Sequence, residues 1–170
     1  MIQIIFKNHA REAQNNIKYV IQYGGNRCVK AGYESCSTAI NSCTFYNVAP
    51  SGQFGNYSGF SGKPESEWIM TKNIFVNCCK DVARRFLGGR TASTYSTVVF
   101  GYNTYPSTVD EATGAVSFET GVSADGSQVY DNSETVITTD PQLKDPENGD
   151  FTVQGSEQLA NQTGDPRWLE

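Results

Sequence analysis

The amino-acid sequence predicts an all-β fold in which short strands stack side by side in the successive coils of a solenoid. Three observations support this prediction: the composition, the scarcity of helical patterns and a short motif that returns every thirty residues. Hydrophobic residues make up 38% of the 170 residues, and charged residues only 18%. Such a composition, rich in Gly, Ser, Thr and Asn, favours many short strands joined by turns over a helical bundle. The length suits a single domain over residues 1–170.

The first strand-like segments lie near the N-terminal end of the chain. Residues 2–6 (IQIIF) and 17–23 (IKYVIQY) are apolar segments typical of strands. A coil buries its inner face only against its neighbours, so a coil without a predecessor exposes an adhesive edge. We therefore expect the chain either to associate end to end with a second copy or to depend on upstream sequence.

The thirty-residue repeat centres on three aromatic residues, Phe45, Phe75 and Tyr105. Each lies in a segment that alternates with the two-residue period of a strand. Small or polar residues stand two positions before and two positions after each aromatic. These flanking residues are Cys43, Asn73 and Asn103 before the aromatics, and Asn47, Asn77 and Ser107 after them. We expect the aromatics to stack inside the fold on adjacent parallel strands, and the Asn residues to form a ladder at the turn.

The repeat extends backwards to Tyr23, which lies twenty-two residues before Phe45. An antiparallel sandwich with similar strand spacing is the alternative interpretation, because the sequences between the repeats differ from one another.

Long connections separate the repeated strands. Residues 49–67 contain four glycines and several aromatics, which predicts a loop with aromatic tips. Residues 78–90 contain the one predicted helical turn, where Val82 and Phe86 lie four apart before Gly88 and Gly89. Residues 106–135 form a further Gly-, Ser- and Thr-rich connection.

The C-terminal segment, residues 140–170, is rich in turns. Asp-Pro pairs begin at positions 140, 145 and 165, and a short strand is predicted at 150–153 (DFTV). We expect this segment to close the stack and Trp168 to cover the last coil, whose core is otherwise exposed.

Five cysteines are present, at positions 28, 36, 43, 78 and 79. Their spacing matches no zinc motif, and His9 is the single histidine. We interpret them as small buried apolar residues and expect Cys43 and Cys78 to be reduced and to point inward.

The charge of the chain excludes some partners. A net charge of −5 and a pI of about 4.9 are unsuited to a phosphate backbone, so we expect no nucleic acid partner. No apolar run is long enough for a membrane span, and the first ten residues lack the features of a signal peptide.

Two segments of the chain resemble a known family. The coils INSCTFYN (40–47) and TKNIFVNC (71–78) are similar to those of pectate-lyase-like right-handed parallel β-helices. The segment TTDPQLKDPENGDFTVQGSEQLANQTGDPRW (138–168) looks like the end of a C-terminal domain of unknown function in secreted polysaccharide-utilisation proteins of gut Bacteroidetes.

This resemblance implies a short right-handed parallel β-helix with long loops and one short helix. It also implies the C-terminal part of a longer lipoprotein, at the outer-membrane surface or outside the cell, with upstream domains as partners. Relatives with known activity are polysaccharide lyases and glycoside hydrolases. Complete catalytic β-helices are longer than this chain, which resembles their last turns only.

The strongest candidate residues for binding an acidic glycan are basic. Five basic residues lie between Lys72 and Arg90, against one acid, Asp81. Four of them, Lys80, Arg84, Arg85 and Arg90, suit the neutralisation of a uronate carboxylate, and Arg or Lys can also serve as the base of a lyase. The alternative is a solvated helix face with an Arg paired to Asp81.

A second set of candidates is aromatic. Sugar rings present apolar C–H faces that stack on aromatic side chains. Phe54, Tyr57, Phe60 and Trp68 have the composition of such a platform. The alternative is that these side chains fold back and cover the side of the solenoid.

The acidic residues Asp110, Glu111, Asp125 and Asp131 carry hard oxygen ligands of the kind that bind Ca²⁺, but their segment does not match the EF-hand spacing. We interpret them as a charged surface loop, and predict no metal site and no cofactor. No catalytic residues can be assigned.

The sequence thus favours a carbohydrate-associated module that binds an acidic polysaccharide or assists its breakdown. A structural capping or adhesion module of a larger cell-surface protein is the first alternative, and a polysaccharide lyase is the second. A groove lined by Arg84, Arg85 and an aromatic favours glycan binding, whereas a flat face of Thr and Asn favours the structural module.

Overall fold

The computed structural model describes residues 13–18, 21–23, 29–30, 36–48, 55–56, 67–76, 78, 97–105, 108–109, 116–117, 131 and 133–170. Within them the chain is mostly strand, with one short α-helix. The strands are β1 (Ala13–Lys18), β2 (Ile21–Tyr23), β3 (Val29–Lys30), β4 (Cys36–Asn41), β5 (Thr44–Tyr46), β6 (Gly55–Asn56), β7 (Glu67–Thr71), β8 (Ile74–Val76), β9 (Thr97–Gly101), β10 (Thr108–Val109), β11 (Val116–Ser117), β12 (Leu143–Asp145) and β13 (Asp150–Val153). The helix α1 spans Ser156–Asn161, and two 3-10 turns span Pro146–Asn148 and Pro166–Trp168.

Parallel sheets form the centre of the described structure. Strands β1, β4, β7 and β9 make a four-stranded parallel sheet in that order, and β2, β5 and β8 make a three-stranded parallel sheet. The chain visits the two sheets alternately, so every parallel neighbour is reached by a crossover, as parallel pairing requires. The antiparallel arrangement that we considered as an alternative is therefore wrong for these strands.

The thirty-residue repeat sets the register of both sheets. Phe45 lies opposite Phe75, and their rings stack with centroids 5.0 Å apart. Phe75 stacks in turn on Tyr105 at 5.2 Å, where the neighbouring residues Ile74 and Thr104 form a parallel bridge. The prediction of an internal aromatic stack is confirmed.

The backward extension of the repeat to Tyr23 is wrong by one residue. Gln22 lies opposite Phe45, whereas Tyr23 lies opposite Tyr46. A one-residue slip moves a side chain to the other face of a strand, so Tyr23 is out of phase with the aromatic stack.

The four-stranded sheet supplies the second half of the core. Ile40, Met70 and Phe100 lie opposite one another on successive strands and are all buried. Their neighbours Ile69 and Val99 are more exposed, as the two-residue period of a strand requires. Burial of such an apolar row contributes about 1.5–3 kcal/mol per side chain.

An amide ladder runs along the turns that join the two sheets. The side chain of Asn73 accepts a hydrogen bond from the backbone N–H of Cys43 (3.1 Å) and donates to the Asn103 Oδ1 (3.0 Å). Its amide also donates to the Ile40 carbonyl, and that of Asn103 donates to the Met70 carbonyl, both at 2.8 Å. The predicted Asn ladder is confirmed, and both amides are fully buried.

The C-terminal segment lies along the side of the parallel strands. Strands β12 and β13 form an antiparallel pair, which confirms the strand predicted at 150–153. The helix α1 follows; the sequence analysis did not predict it. The ring of Trp168 packs edge to face on Phe151, and Phe151 packs on Tyr46 of β5. Trp168 therefore contacts the C-terminal hairpin, which packs on an inner strand of the stack.

Several predicted features fall wholly or partly outside the described residues. The N-terminal segment 2–6 and the predicted helical turn around Val82 and Phe86 are among them. Within the predicted loop 49–67, β6 pairs in parallel with β3, and within 106–135 the strands β10 and β11 form an antiparallel pair. These connections thus contain short strands that the composition alone did not indicate.

The prediction that Cys43 and Cys78 are reduced and point inward is confirmed for Cys43, whereas for Cys78 only the free thiol is confirmed. Cys43 is fully buried, and its sulfur donates to the Asn41 carbonyl. Cys78 is half-buried, and its sulfur contacts the Val76 carbonyl at 3.2 Å. Both are thiols, as expected.

Candidate functional site

A groove opens where the turns between the two sheets meet the C-terminal segment. We call it the corner groove. It has a volume of about 730 Å³ and is lined by Ser42, Lys72, Leu159, Gln162, Pro166, Leu169 and Glu170. The lining combines a hydroxyl, an amide, an ammonium and a carboxylate with three apolar side chains, a mixture found in sites for small polar ligands.

The first wall of the corner groove consists of tight turns in the left-handed backbone region. Ser42 and Lys72 have φ angles of 53° and 56°, and Tyr102 repeats this conformation at the next turn with 53°. The backbone N–H of Ser42 donates to the Thr71 carbonyl, and that of Lys72 donates to the Gly101 carbonyl. Each turn is therefore tied to the strand of the next repeat.

The second wall is supplied by the C-terminal segment. Helix α1 contributes Leu159, and Gln162 ends this helix in the left-handed conformation. The following residues cross the turns: Thr163 donates to the Tyr102 carbonyl, and the N–H of Gly164 donates to the Lys72 carbonyl. We call residues 163–165 the strap.

The strap continues to the other side of the groove. The backbone N–H of Asp165 donates to the hydroxyl of Thr44. Its buried carboxylate caps the last 3-10 turn and pairs with the Arg167 guanidinium, which raises the pKa of Arg167. The strap thereby fixes the position of Pro166 and Leu169 at the groove.

The basic residues at and near the groove differ in whether they form ion pairs. Three basic residues have described side chains, and two of them, Lys144 and Arg167, form ion pairs with Asp150 and Asp165. Lys72 makes no ion pair with any residue that the structure describes. A cation at the groove is therefore available to an anionic ligand.

Asp150 lies in the nearby hairpin. Hydrogen bonds from Thr152, together with that from the Lys144 ammonium, lower the pKa of Asp150 to about 2. The same carboxylate raises the pKa of Lys144. Lys144 and Asp150 therefore form an ion pair with each other, and both lie in the hairpin that packs on Tyr46 through Phe151.

Most of the predicted binding residues lie outside the described part of the chain. These are Lys80, Arg84, Arg85, Arg90, Phe54, Tyr57 and Phe60. Trp68 belongs to β7, where its backbone lies opposite Thr38 and Val98.

The topology nevertheless relates the two predicted binding segments. The aromatic segment follows β5 and precedes β7, whereas the basic segment follows β8 and precedes β9. Strand β5 pairs with β8, and β7 pairs with β9, in register. Paired strands lie about 4.8 Å apart, so the two segments leave the sheets at neighbouring positions and return to them at neighbouring positions.

The prediction for the acidic residues is wrong for Asp131. It is buried at 1% exposure and ends the amide ladder, accepting hydrogen bonds from the Asn103 amide and the Tyr105 hydroxyl. Ser133 donates to its other oxygen. Its four donors explain how a carboxylate can be buried here. Asp110, Glu111 and Asp125 lie outside the described residues, and the described ones contain no cluster suited to a metal ion.

The corner groove could not be predicted from the sequence because its two walls are distant in the chain. Lys72 belongs to the basic run between Lys72 and Arg90, but its position at a turn gave no indication of a groove.

No helix in the described ranges is both long and apolar enough to cross a membrane.

Comparison with known proteins places the chain in a family. No curated protein and no solved structure matches the sequence. The family model described as "Domain of unknown function (DUF5123)" matches residues 38–168. This match includes the aromatic stack, the amide ladder and the C-terminal segment with its strap. The chain therefore belongs to the DUF5123 family.

Proposed function

We propose that the chain is a short right-handed parallel β-helix that binds an acidic polysaccharide outside the cell or at the outer-membrane surface. The parallel register, the aromatic stack and the amide ladder support this architecture, since each repeat adds one strand to each of two sheets. In such a solenoid the strands form a rigid scaffold, and insertions between them carry the binding residues.

The functional proposal rests on where the aromatic segment and the basic segment leave the sheets and rejoin them. We call these two segments the insertions. The aromatic and basic segments leave paired strands and return to paired strands. A rigid in-register scaffold brings the ends of both insertions to the same edges of the sheets. We infer that the two segments lie close enough together for one glycan to contact both an apolar platform and a cationic partner.

The chemistry of the two segments is complementary. Arg84 and Arg85 supply guanidinium groups that pair with a uronate carboxylate in a fork geometry. Phe54, Tyr57 and Phe60 supply rings for the C–H faces of the sugar. We assign the chain a binding role, alone or in support of an enzymatic domain upstream in a longer protein.

A titration with polygalacturonate and with a neutral glucan tests this proposal. We expect the chain to bind polygalacturonate, and Arg84→Ala and Arg85→Ala to weaken binding about tenfold each, because a charge-assisted hydrogen bond contributes about 1.5–3 kcal/mol. Lys144→Ala, which removes a cation already paired with Asp150, is the matched control and should bind like the wild type.

Three outcomes separate the alternatives. Equal affinity of the arginine variants, with a loss in Phe54→Ala, Tyr57→Ala and Phe60→Ala, transfers the site to the aromatic segment. Absence of binding to either polymer leaves the structural capping module in place of the glycan module. Release of unsaturated uronates from polygalacturonate, followed by ultraviolet absorbance, identifies the chain as a lyase.

A further inference from the structure

Lys72 occupies the tight turn that Ser42 and Tyr102 occupy in the neighbouring repeats. A residue other than Gly is strained in the left-handed region, and Asn or Gly relieves most of this strain. Lys72 nevertheless occupies such a position with φ at 56°. Its turn is secured on both sides, by the bond from its N–H to Gly101 and by the bond from Gly164 to its carbonyl.

The same side chain lines the corner groove and lacks an anionic partner. The other two basic side chains that the structure describes are paired with buried or hydrogen-bonded carboxylates. A cation that is left for a ligand at a groove with polar and apolar lining residues indicates a binding role.

We propose that the corner groove is a second binding site for the acidic polysaccharide, with Lys72 as its carboxylate-binding residue. This inference rests on the proposed function but adds a site built from described turns and the C-terminal segment. The Lys72 ammonium would receive one uronate carboxylate as a compact point charge. Ser42 and Gln162 offer a hydroxyl and an amide to the sugar hydroxyls, and Leu159, Pro166 and Leu169 offer an apolar wall to the ring.

The direction of the turns suits a linear polymer. Ser42, Lys72 and Tyr102 occupy equivalent turns of successive repeats, which lie about 4.8 Å apart. A chain laid along them would meet a hydroxyl, an ammonium and an aromatic ring in sequence, and Tyr102 is 41% exposed. Glu170 at the groove opposes the binding of an anion, so its carboxylate limits the affinity.

The decisive variant is Lys72→Asn, because Asn tolerates the left-handed conformation better than Lys. Its melting temperature should equal or exceed that of the wild type, so a loss of binding cannot be attributed to unfolding. We expect its affinity for polygalacturonate to fall about tenfold. The control Lys144→Asn removes the same charge from the paired position in the hairpin and should stay within about twofold of the wild type.

A second variant moves the affinity in the opposite direction. Glu170→Gln removes a side-chain carboxylate from the groove lining, and should tighten binding of polygalacturonate by about threefold while leaving a neutral glucan unaffected. Wild-type affinity in Lys72→Asn overturns the second site. A loss in Arg84→Ala alone then retains the proposed function at the insertions. Absence of polygalacturonate binding by the wild type overturns both the proposed function and the second site.

Discussion

At the scale of single residues, the amide ladder explains how polar side chains are kept in the interior. Asn73 and Asn103 are fully buried, and each donates to a backbone carbonyl of the preceding repeat. Asp131 ends the series by accepting from the Asn103 amide. A buried polar group is tolerated only when it is hydrogen-bonded, so the ladder requires each member to be present.

Removal of one amide tests the ladder. Asn73→Ala leaves the Cys43 N–H and the Ile40 carbonyl without their bonds to this side chain. We expect the free energy of unfolding to fall by about 2–4 kcal/mol, because each buried group left unsatisfied costs about 1–3 kcal/mol. Urea denaturation measures the loss. Asn148→Ala, in an exposed turn where the amide bonds to Asp145, is the control and should change stability by less than about 0.5 kcal/mol.

The ionised carboxylate of Asp150 makes the stability of the protein depend on pH in the acid range. Its pKa is lowered from 3.8 to about 2, with the Thr152 hydroxyl as the largest cause. The stabilisation that this ionised carboxylate provides is therefore present above about pH 4 and is lost as the pH falls towards 2. Thr152→Val should raise the pKa of Asp150 towards 3.8 and move this loss to higher pH. A carboxyl NMR titration measures the change, and Thr152→Ser, which keeps the hydroxyl, should titrate like the wild type.

At the scale of the elements, the strap joins the C-terminal segment to three successive turns or strands. It bonds to the Tyr102 carbonyl, the Lys72 carbonyl and the Thr44 hydroxyl in order. The strap packs against Thr44 and Ile74, which are both fully buried. The strap thus covers part of the outer face of the three-stranded sheet.

Gly164 shows how closely the strap approaches the sheet. Its φ is 107°, and an added Cβ would lie 2.8 Å from the Ile74 Cδ1. We expect Gly164→Ala to destabilise the protein by about 2–4 kcal/mol, through backbone strain and overpacking together. Thermal or urea denaturation provides the measurement.

Gly149→Ala separates the effect of backbone strain from that of overpacking. Gly149 also has a positive φ, 88°, but a Cβ there would meet nothing within 4 Å. Its substitution should cost only the backbone strain, about 1–2 kcal/mol. Equal losses in the two variants would show that the strap does not pack tightly on Ile74.

The parts of these elements that repeat locally could be predicted from the sequence. The stack of Phe45, Phe75 and Tyr105 followed from a constant spacing, because in-register parallel strands place equivalent residues opposite one another. The extension of the repeat to Tyr23 was wrong because the preceding repeat has a different length. Gln22, and not Tyr23, lies opposite Phe45, and a shift of one residue changes the face of a strand.

The candidate site was less accessible to sequence reasoning. Asp131 follows a long insertion, so its place at the end of the ladder carries no regular spacing. The corner groove joins Lys72 to Gln162 and Leu169, which lie far away in the chain and meet only through the strap. Tertiary contacts of this kind leave no periodic pattern.

At the scale of the whole molecule, an acidic chain is proposed to bind an acidic polymer. The net charge of −5 opposes such binding at long range, so the attraction must come from local clusters of cations. Charges on a surface interact within a screening length of about 10 Å at 0.1 M salt. Binding should therefore depend on carboxylates that touch the protein and should weaken as salt is added.

The most direct test compares one polymer in two charge states. Calorimetric titration with polygalacturonate and with its fully methyl-esterified form changes the carboxylates and keeps the sugar backbone. We predict that the esterified polymer binds at least about tenfold more weakly, the loss expected for one charge-assisted contact. Equal affinity for the two forms, or no binding to either, would contradict the claim that this chain recognises an acidic polysaccharide.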